Sequence, residues 1–319
     1  MLELYKDYLQ EEWAADGSLK SVQLHAPDDF NFGYDIIDRI ALAEPDRRAM
    51  VWCDDYGWEE TFTFADMMHR SNQTANLLLS LGIGKGDAVL LLLRRHYEYW
   101  FCILALHKIG AIAIPATDQL TAKDIAYRIN AAGVNAVICT AEGEAADSVD
   151  AAAAKCPTLR TKILARGERE GWLSYHRELE RQSDQLERIP NRASDPMLLF
   201  FTSGTTGMPK MVLHDYLYPL GHIVTAKEWH QVAPDGLHLS VADTGWAKAS
   251  WGKIYGQWIM EAGIFVYDYI RFAPKDLLHL IEKYKITTFC APPTIFRFFI
   301  KEGIENYDLS SLRHVTTAG

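Results

Sequence analysis

The sequence lacks the patterns that would place it in a specialised class. Its five cysteines, Cys53, Cys102, Cys139, Cys156 and Cys290, are odd in number, widely spaced and never form C-x-x-C. That excludes a disulfide framework and a tetrahedral zinc site, and it predicts buried thiols. No apolar run reaches membrane length, because the greasiest region, residues 88–115, is interrupted by Arg94, Arg95, His96, Glu98, His107 and Lys108. Positive charge is scarce: 32 Lys and Arg stand against 42 Asp and Glu, a net charge of -10. Nucleic-acid binding draws on clustered cations that release counterions from phosphate, so no nucleic-acid partner is expected. Residues 1–13 alternate charged and apolar side chains without a signal-peptide core, which gives a cytoplasmic expectation. No repeat of fixed period occurs.

What is present is an ordinary globular composition, 49% hydrophobic and 23% charged, in a chain long enough for one large domain or two intimate subdomains. Residues 49–53, the turn Asp54-Asp55-Tyr56-Gly57 and the alternating 60–64 predict a hairpin. Thr63 with Asp66 forms a capping-box start for a helix that Gly82 ends. Strand 87–93, helix 96–108, strand 111–114, a helix opening at Thr121 with Asp124, and strand 134–140 follow. Alternation of this kind implies parallel strands joined by helical crossovers. Residues 182–196, polar and containing two prolines, read as a connector. Beyond it come strands 197–201, 211–214, 236–241, 264–267, 286–290 and 314–317, with helices 275–284 and 294–302. The expected fold is therefore α/β, with two subdomains, 1–190 and 191–319, whose parallel-rich sheets are flanked by helices. In such sheets ligands bind beyond the carboxyl ends of strands.

The most informative segment directly follows an apolar strand: Thr202-Ser203-Gly204-Thr205-Thr206-Gly207-Met208-Pro209-Lys210. Its two glycines let successive backbone N–H groups turn towards one anion, four hydroxyls add donors, and Lys210 adds a charge beyond the rigid Pro209. A plain polar hairpin turn would need none of this specificity. The segment is no Walker A loop, since Gly204 and Gly207 are three apart and Met211 follows Lys210.

These nine residues resemble the phosphate-binding loop of the adenylate-forming superfamily, which includes acyl-CoA synthetases. Three further stretches are similar to medium-chain acyl-CoA synthetases: residues 242–248 with Trp251, residues 115–125, and residues 291–294. The resemblance runs from about Asp35 to Gly319. It implies the large N-terminal domain of the adenylate-forming fold, with Thr202 to Lys210 on the ATP phosphates and Thr202 and Lys210 in catalytic roles. It also implies Gly245 and Trp246 in the acyl pocket and Gln119 near CoA. The implied reaction joins a carboxylic acid to CoA with MgATP through an acyl-adenylate; a carrier-loading adenylation domain and a non-catalytic fragment are the alternatives.

The competing structural readings are a core position for Trp246, core or rim positions for Trp251 and Trp258, packing for His214, and solvent exposure for Arg94-Arg95-His96. Family members continue past the point where this chain ends, so the adenine, ribose, magnesium and lysine contacts are expected outside it and no metal ligand is assigned. The isolated 319 residues are accordingly expected to be inactive and to bind ATP weakly. The strand at the end is expected to leave an edge open to self-association.

Overall fold

The structure, a computed structural model, describes residues 1–202 and 207–318. Its strands in chain order are β1 (Leu9–Trp13), β2 (Leu19–Leu24), β3 (Arg48–Asp54), β4 (Glu59–Thr63), β5 (Ala88–Leu92), β6 (Ile112–Pro115), β7 (Val134–Cys139), β8 (Thr161–Leu164), β9 (Leu173–Ser174), β10 (Pro196–Thr202), β11 (Lys210–Asp215), β12 (Leu237–Ser240), β13 (Gly263–Asp268), β14 (Thr288–Ala291) and β15 (His314–Thr317). Apart from the small β1–β2 hairpin they form a seven-stranded sheet, β11-β10-β6-β5-β7-β8-β9, and a six-stranded sheet, β15-β14-β12-β13-β3-β4. Each is parallel except for one antiparallel hairpin at an edge, β10–β11 in the first and β3–β4 in the second.

This membership corrects the division expected at residue 190. Strands β3 and β4 come early in the chain yet sit in the second sheet, and β10 and β11 come after the connector yet extend the first. The physical reason is burial on both faces. A parallel sheet needs apolar cover on each side, and the two sheets meet that need by sharing one helical layer, so early and late segments interleave.

Alternation along the strands makes the layering explicit. Val89 and Leu91 of β5 join Ile264 and Val266 of β13 and Met50 and Trp52 of β3 in the central core. Their neighbours Ala88, Leu90 and Leu92 face one outer layer, with helices Ala122–Ala132 and Ala145–Ala153. Val51, Phe265 and Tyr267 face the other, with helices Pro274–Tyr284 and Pro293–Glu302. Helix Glu98–Ile109 lies in the middle and is buried at every residue, which explains why it reads as a greasy run studded with polar side chains. Its charged and imidazole side chains find partners: Glu98 accepts from Arg166 at 2.9 and 3.0 Å, and His107 meets the Tyr255 hydroxyl at 2.8 Å.

Local signals behave as their chemistry dictates. Thr63 and Asp66 make the reciprocal capping box of helix Phe64–Ser80, Thr121 caps helix Ala122–Ala132, and Gly110 closes helix Glu98–Ile109 at φ 76°. All five cysteines are buried and free. Among the described residues no helix is long and apolar enough to cross a membrane.

Lys108 is the most demanding residue of the central layer. It is fully buried, and its Nζ donates to Asp38 Oδ1 at 2.6 Å and Asn72 Oδ1 at 2.7 Å. Gly33 must lack a side chain, since a Cβ there would lie 2.7 Å from Lys108 Cγ. Burial pushes the Lys108 pKa down and the Asp38 pKa up, against their mutual attraction. Removing one partner leaves a stranded charge, so Asp38→Ala is expected to cost about 3–5 kcal/mol, read from urea unfolding. Adding Lys108→Met should recover most of that loss, and a single-variant cost below about 1 kcal/mol would contradict it.

Candidate active site

The carboxyl ends of β5 and β7 in one sheet and of β13 in the other come together, and three residues after β5 join them. His96 Nδ1 meets Asp268 Oδ2, at the end of β13, at 2.7 Å. Its Nε2 meets Thr140 Oγ1 at 2.8 Å and Glu142 Oε2 at 2.9 Å, just past β7. Arg95 donates to Asp243 Oδ2 at 2.8 Å, donates to the Tyr269 carbonyl and lies 4.0 Å over the Tyr269 ring. Arg94 donates to the same carbonyl at 2.9 Å. The expectation that Arg94-Arg95-His96 faces solvent is therefore corrected: Arg95 and His96 are 8% and 1% exposed. A strand-end triplet looks solvent-bound in sequence because its acidic partners, Glu142, Asp243 and Asp268, all lie far along the chain.

Electrostatics follow from burial and pairing. Burial alone would lower the His96 pKa, but the hydrogen bonds to Asp268 and Glu142 outweigh it and raise it to about 9. The same contact, opposed by partial burial, holds Glu142 down at about 2. Lys253, fully buried beneath, donates to the Ala242 carbonyl at 2.9 Å; burial first, and then the Arg95 charge, lower it to about 7. Nothing in the spacing around Lys253 marks it, and sequence reasoning passed over it.

The segment Asp243 to Trp246 is fixed by close approach. Thr244 donates through its hydroxyl to the carbonyls of Leu93 and Arg94. A Cβ at Gly245 would fall 2.3 Å from Thr117 N and 2.4 Å from Ala116 C, so only glycine lets this segment lie on the chain after β6. Trp246 then stands 61% exposed at the start of helix Ala247–Lys253, which removes the core reading. Trp258 is buried and donates to the Ala49 carbonyl at 2.9 Å, a core residue as expected. Half-buried Trp251 lies beside Trp229 and His230. Gln119 is exposed, two residues beyond the Thr117 backbone on which Gly245 rests.

The nine-residue loop joins β10 to β11, whose register pairs Thr202 with Lys210. Ser203, Gly204, Thr205 and Thr206 lie outside the described residues. Thr202, Gly207, Met208 and Lys210 are exposed, Pro209 is half-buried, and Gly207 takes φ 153°. The far end is held by Tyr127, whose hydroxyl donates to the Pro209 carbonyl at 2.9 Å, so the helix after Gln119 tethers the loop. His214 packs against Tyr218 with ring centroids 4.1 Å apart, the packing role expected of it.

Comparison with known proteins adds three findings. The profile of the family described as AMP-binding enzyme matches residues 37–319. The human mitochondrial acyl-coenzyme A synthetase ACSM3 is 34% identical over 305 residues, 93% of this chain and 52% of its own length; human mitochondrial ACSM5 is 35% identical over 301 residues, 92% and 52%. The chain thus spans about half the length of the curated relatives it matches. Among solved structures, a Brucella canis acyl-CoA synthetase shares 25% identity at TM-score 0.80, covering 92% of this chain and 54% of that one. An anthranilate CoA ligase in complex with anthranoyl-AMP shares the fold, with TM-score 0.84 and 23% identity over 92% and 56%.

The bracket gives a pH signature. A histidine raised above its unfolded value of about 6.5 contributes fully below that value and loses its contribution as pH rises through about 9. Glu142 works in the opposite sense, but its side chain is 44% exposed and screened. The gap in melting temperature between the wild type and His96→Gln is expected to be wide at pH 6 and narrow at pH 10. An equal gap at both would contradict the bracket.

Proposed function

The chain belongs to the AMP-binding enzyme family, and from that premise we propose that the protein is an AMP-forming acyl-CoA synthetase that activates a small carboxylic acid with ATP and CoA. The observation that carries the reading is the Thr202–Lys210 segment joining the hairpin strands β10 and β11, its far end tethered by Tyr127. The names of the acyl-coenzyme A synthetase relatives point the same way.

In this reading a carboxylate oxygen of the acid attacks the α-phosphorus of ATP. The new C–O–P linkage forms as the bond to the β-phosphate oxygen breaks and pyrophosphate leaves. The thiol sulfur of CoA then attacks the acyl carbonyl, the acyl–oxygen bond breaks, and AMP departs. The acid is its own nucleophile, so no Ser-His-Asp device is required.

The protein's contribution is position and charge. Thr202, Gly207, Met208, Pro209 and Lys210, with Ser203, Gly204, Thr205 and Thr206, would hold the departing phosphates. Gly245 and Trp246 would form the acyl wall, with the indole laid against the acid, and Gln119 would lie on the CoA side. Among the described residues no group of three His, Cys, Asp or Glu could hold a metal. Magnesium would supply charge neutralisation on the phosphates.

Lys210→Ala in the full-length protein is expected to slow pyrophosphate exchange about tenfold to a hundredfold, the equivalent of one charge-assisted contact of about 1.5–3 kcal/mol. Thiol transfer from a supplied acyl-adenylate should change less. Unchanged exchange would remove Lys210 from the phosphate site.

A further inference from the structure

The six-stranded sheet turns two chemically different faces to its neighbours. Its outer face is apolar along β12, β13 and β14, with Leu237, Leu239, Phe265 and Phe289 in one cluster. Its inner face is apolar along β13 and β3 but polar along β12, β14 and β15. There the registers set His238 beside Thr288, and Ser240 beside Cys290 beside Thr316.

Six buried polar atoms in and above this inner face have no hydrogen-bond partner among the described residues: His230 Nε2, His238 Nε2, Ser240 Oγ, Ser250 Oγ, Gln257 Oε1 and Thr316 Oγ1. None of these residues is more than 6% exposed. They form one layer. The His230 and His238 rings are 4.6 Å apart, and the Gln257 amide nitrogen lies 3.0 Å from His230 Nδ1. A Cβ at Gly252 would come 2.6 Å from Ser240 Oγ, so glycine seats helix Ala247–Lys253 directly on that hydroxyl.

The protonation state can be worked out. Burial holds both imidazoles neutral at ordinary pH. An amide nitrogen only donates, so His230 Nδ1 accepts and its Nε2 carries the proton. That leaves His230 Nε2–H and three hydroxyls as donors without acceptors. Native interiors rarely leave such groups unpaired, and six in one layer call for a polar occupant.

The layer also lies at the carboxyl ends of its strands. Ser240 is the last residue of β12 and Thr316 the next to last of β15, the strand ends at which parallel sheets bind ligands. Helix Ala247–Lys253, its roof, starts at Trp246. Resting on the acyl-wall reading of Gly245 and Trp246, we infer that the acid activated here carries a hydroxyl or carbonyl oxygen on its chain, received by His230, Ser240, Ser250 and Thr316 behind Trp246. A plain alkyl chain would leave these donors stranded, and sites built to bond a substrate hydroxyl discriminate strongly against the analogue that lacks it.

The test is pyrophosphate exchange by the full-length protein with isosteric pairs: each terminal hydroxy acid from 4-hydroxybutyrate to 7-hydroxyheptanoate against the alkanoate one carbon longer. At least one pair should favour the hydroxy acid by about tenfold or more in kcat/KM. Ser240→Ala and the near-isosteric Thr316→Val should each bring that ratio towards one. Robust exchange with the alkanoates, equal or better in every pair, would overturn the polar-acid inference and leave the ligase reading standing. Exchange with none of the acids would overturn both.

Discussion

Two sheets, built from interleaved parts of the chain, are held with the carboxyl ends of their strands together, and the constraint that does this is the charged bracket after β5. His96 reaches the ends of β7 and β13, and Arg95 reaches Asp243 and Tyr269. The His96 contacts are buried and the Arg95 contacts partly so, which limits competition from water and holds their geometry. Their positions set the path of residues 243–246, which Thr244 and Gly245 then press onto the neighbouring segments. The proposed acyl wall therefore inherits its place from an ion-pair network in the interior rather than from its own loop sequence.

The central layer around β5, β13 and β3 is built mainly of aliphatic and aromatic side chains, and its buried ammonium at Lys108 is bonded to Asp38 and Asn72. Towards β12, β14 and β15 the same sheet face carries histidines and hydroxyls, several without partners among the described residues. Hydrophobic burial would favour apolar residues at those positions. Their polarity is the kind of local inconsistency that marks a functional region.

Much of this was legible in the sequence, for identifiable reasons. Capping at Thr63 and Thr121, the helix end at Gly82, and strands such as 314–317 are local effects that a few neighbouring residues decide. The glycine- and hydroxyl-rich segment after β10 was legible because its composition has few other uses. Long-range outcomes were not legible: which sheet takes β3 or β10, that Arg95 and His96 turn inward, and that Lys253 is buried. These depend on partners far along the chain, and periodicity says nothing about them. The N-terminal hairpin β1–β2 and the helices Ala247–Lys253 and Tyr255–Ile259 were missed because their patterns are short and mixed.

The most direct test of the account is a crystal structure of the full-length protein with a non-hydrolysable acyl-adenylate analogue and pyrophosphate. The account predicts phosphate oxygens against residues 202–210, and the acyl chain running past Trp246 towards Ser240 and Thr316. An analogue held instead in the outer hollow lined by Trp52, Trp58 and Tyr97, with the strand ends of β12 and β15 untouched, would contradict it.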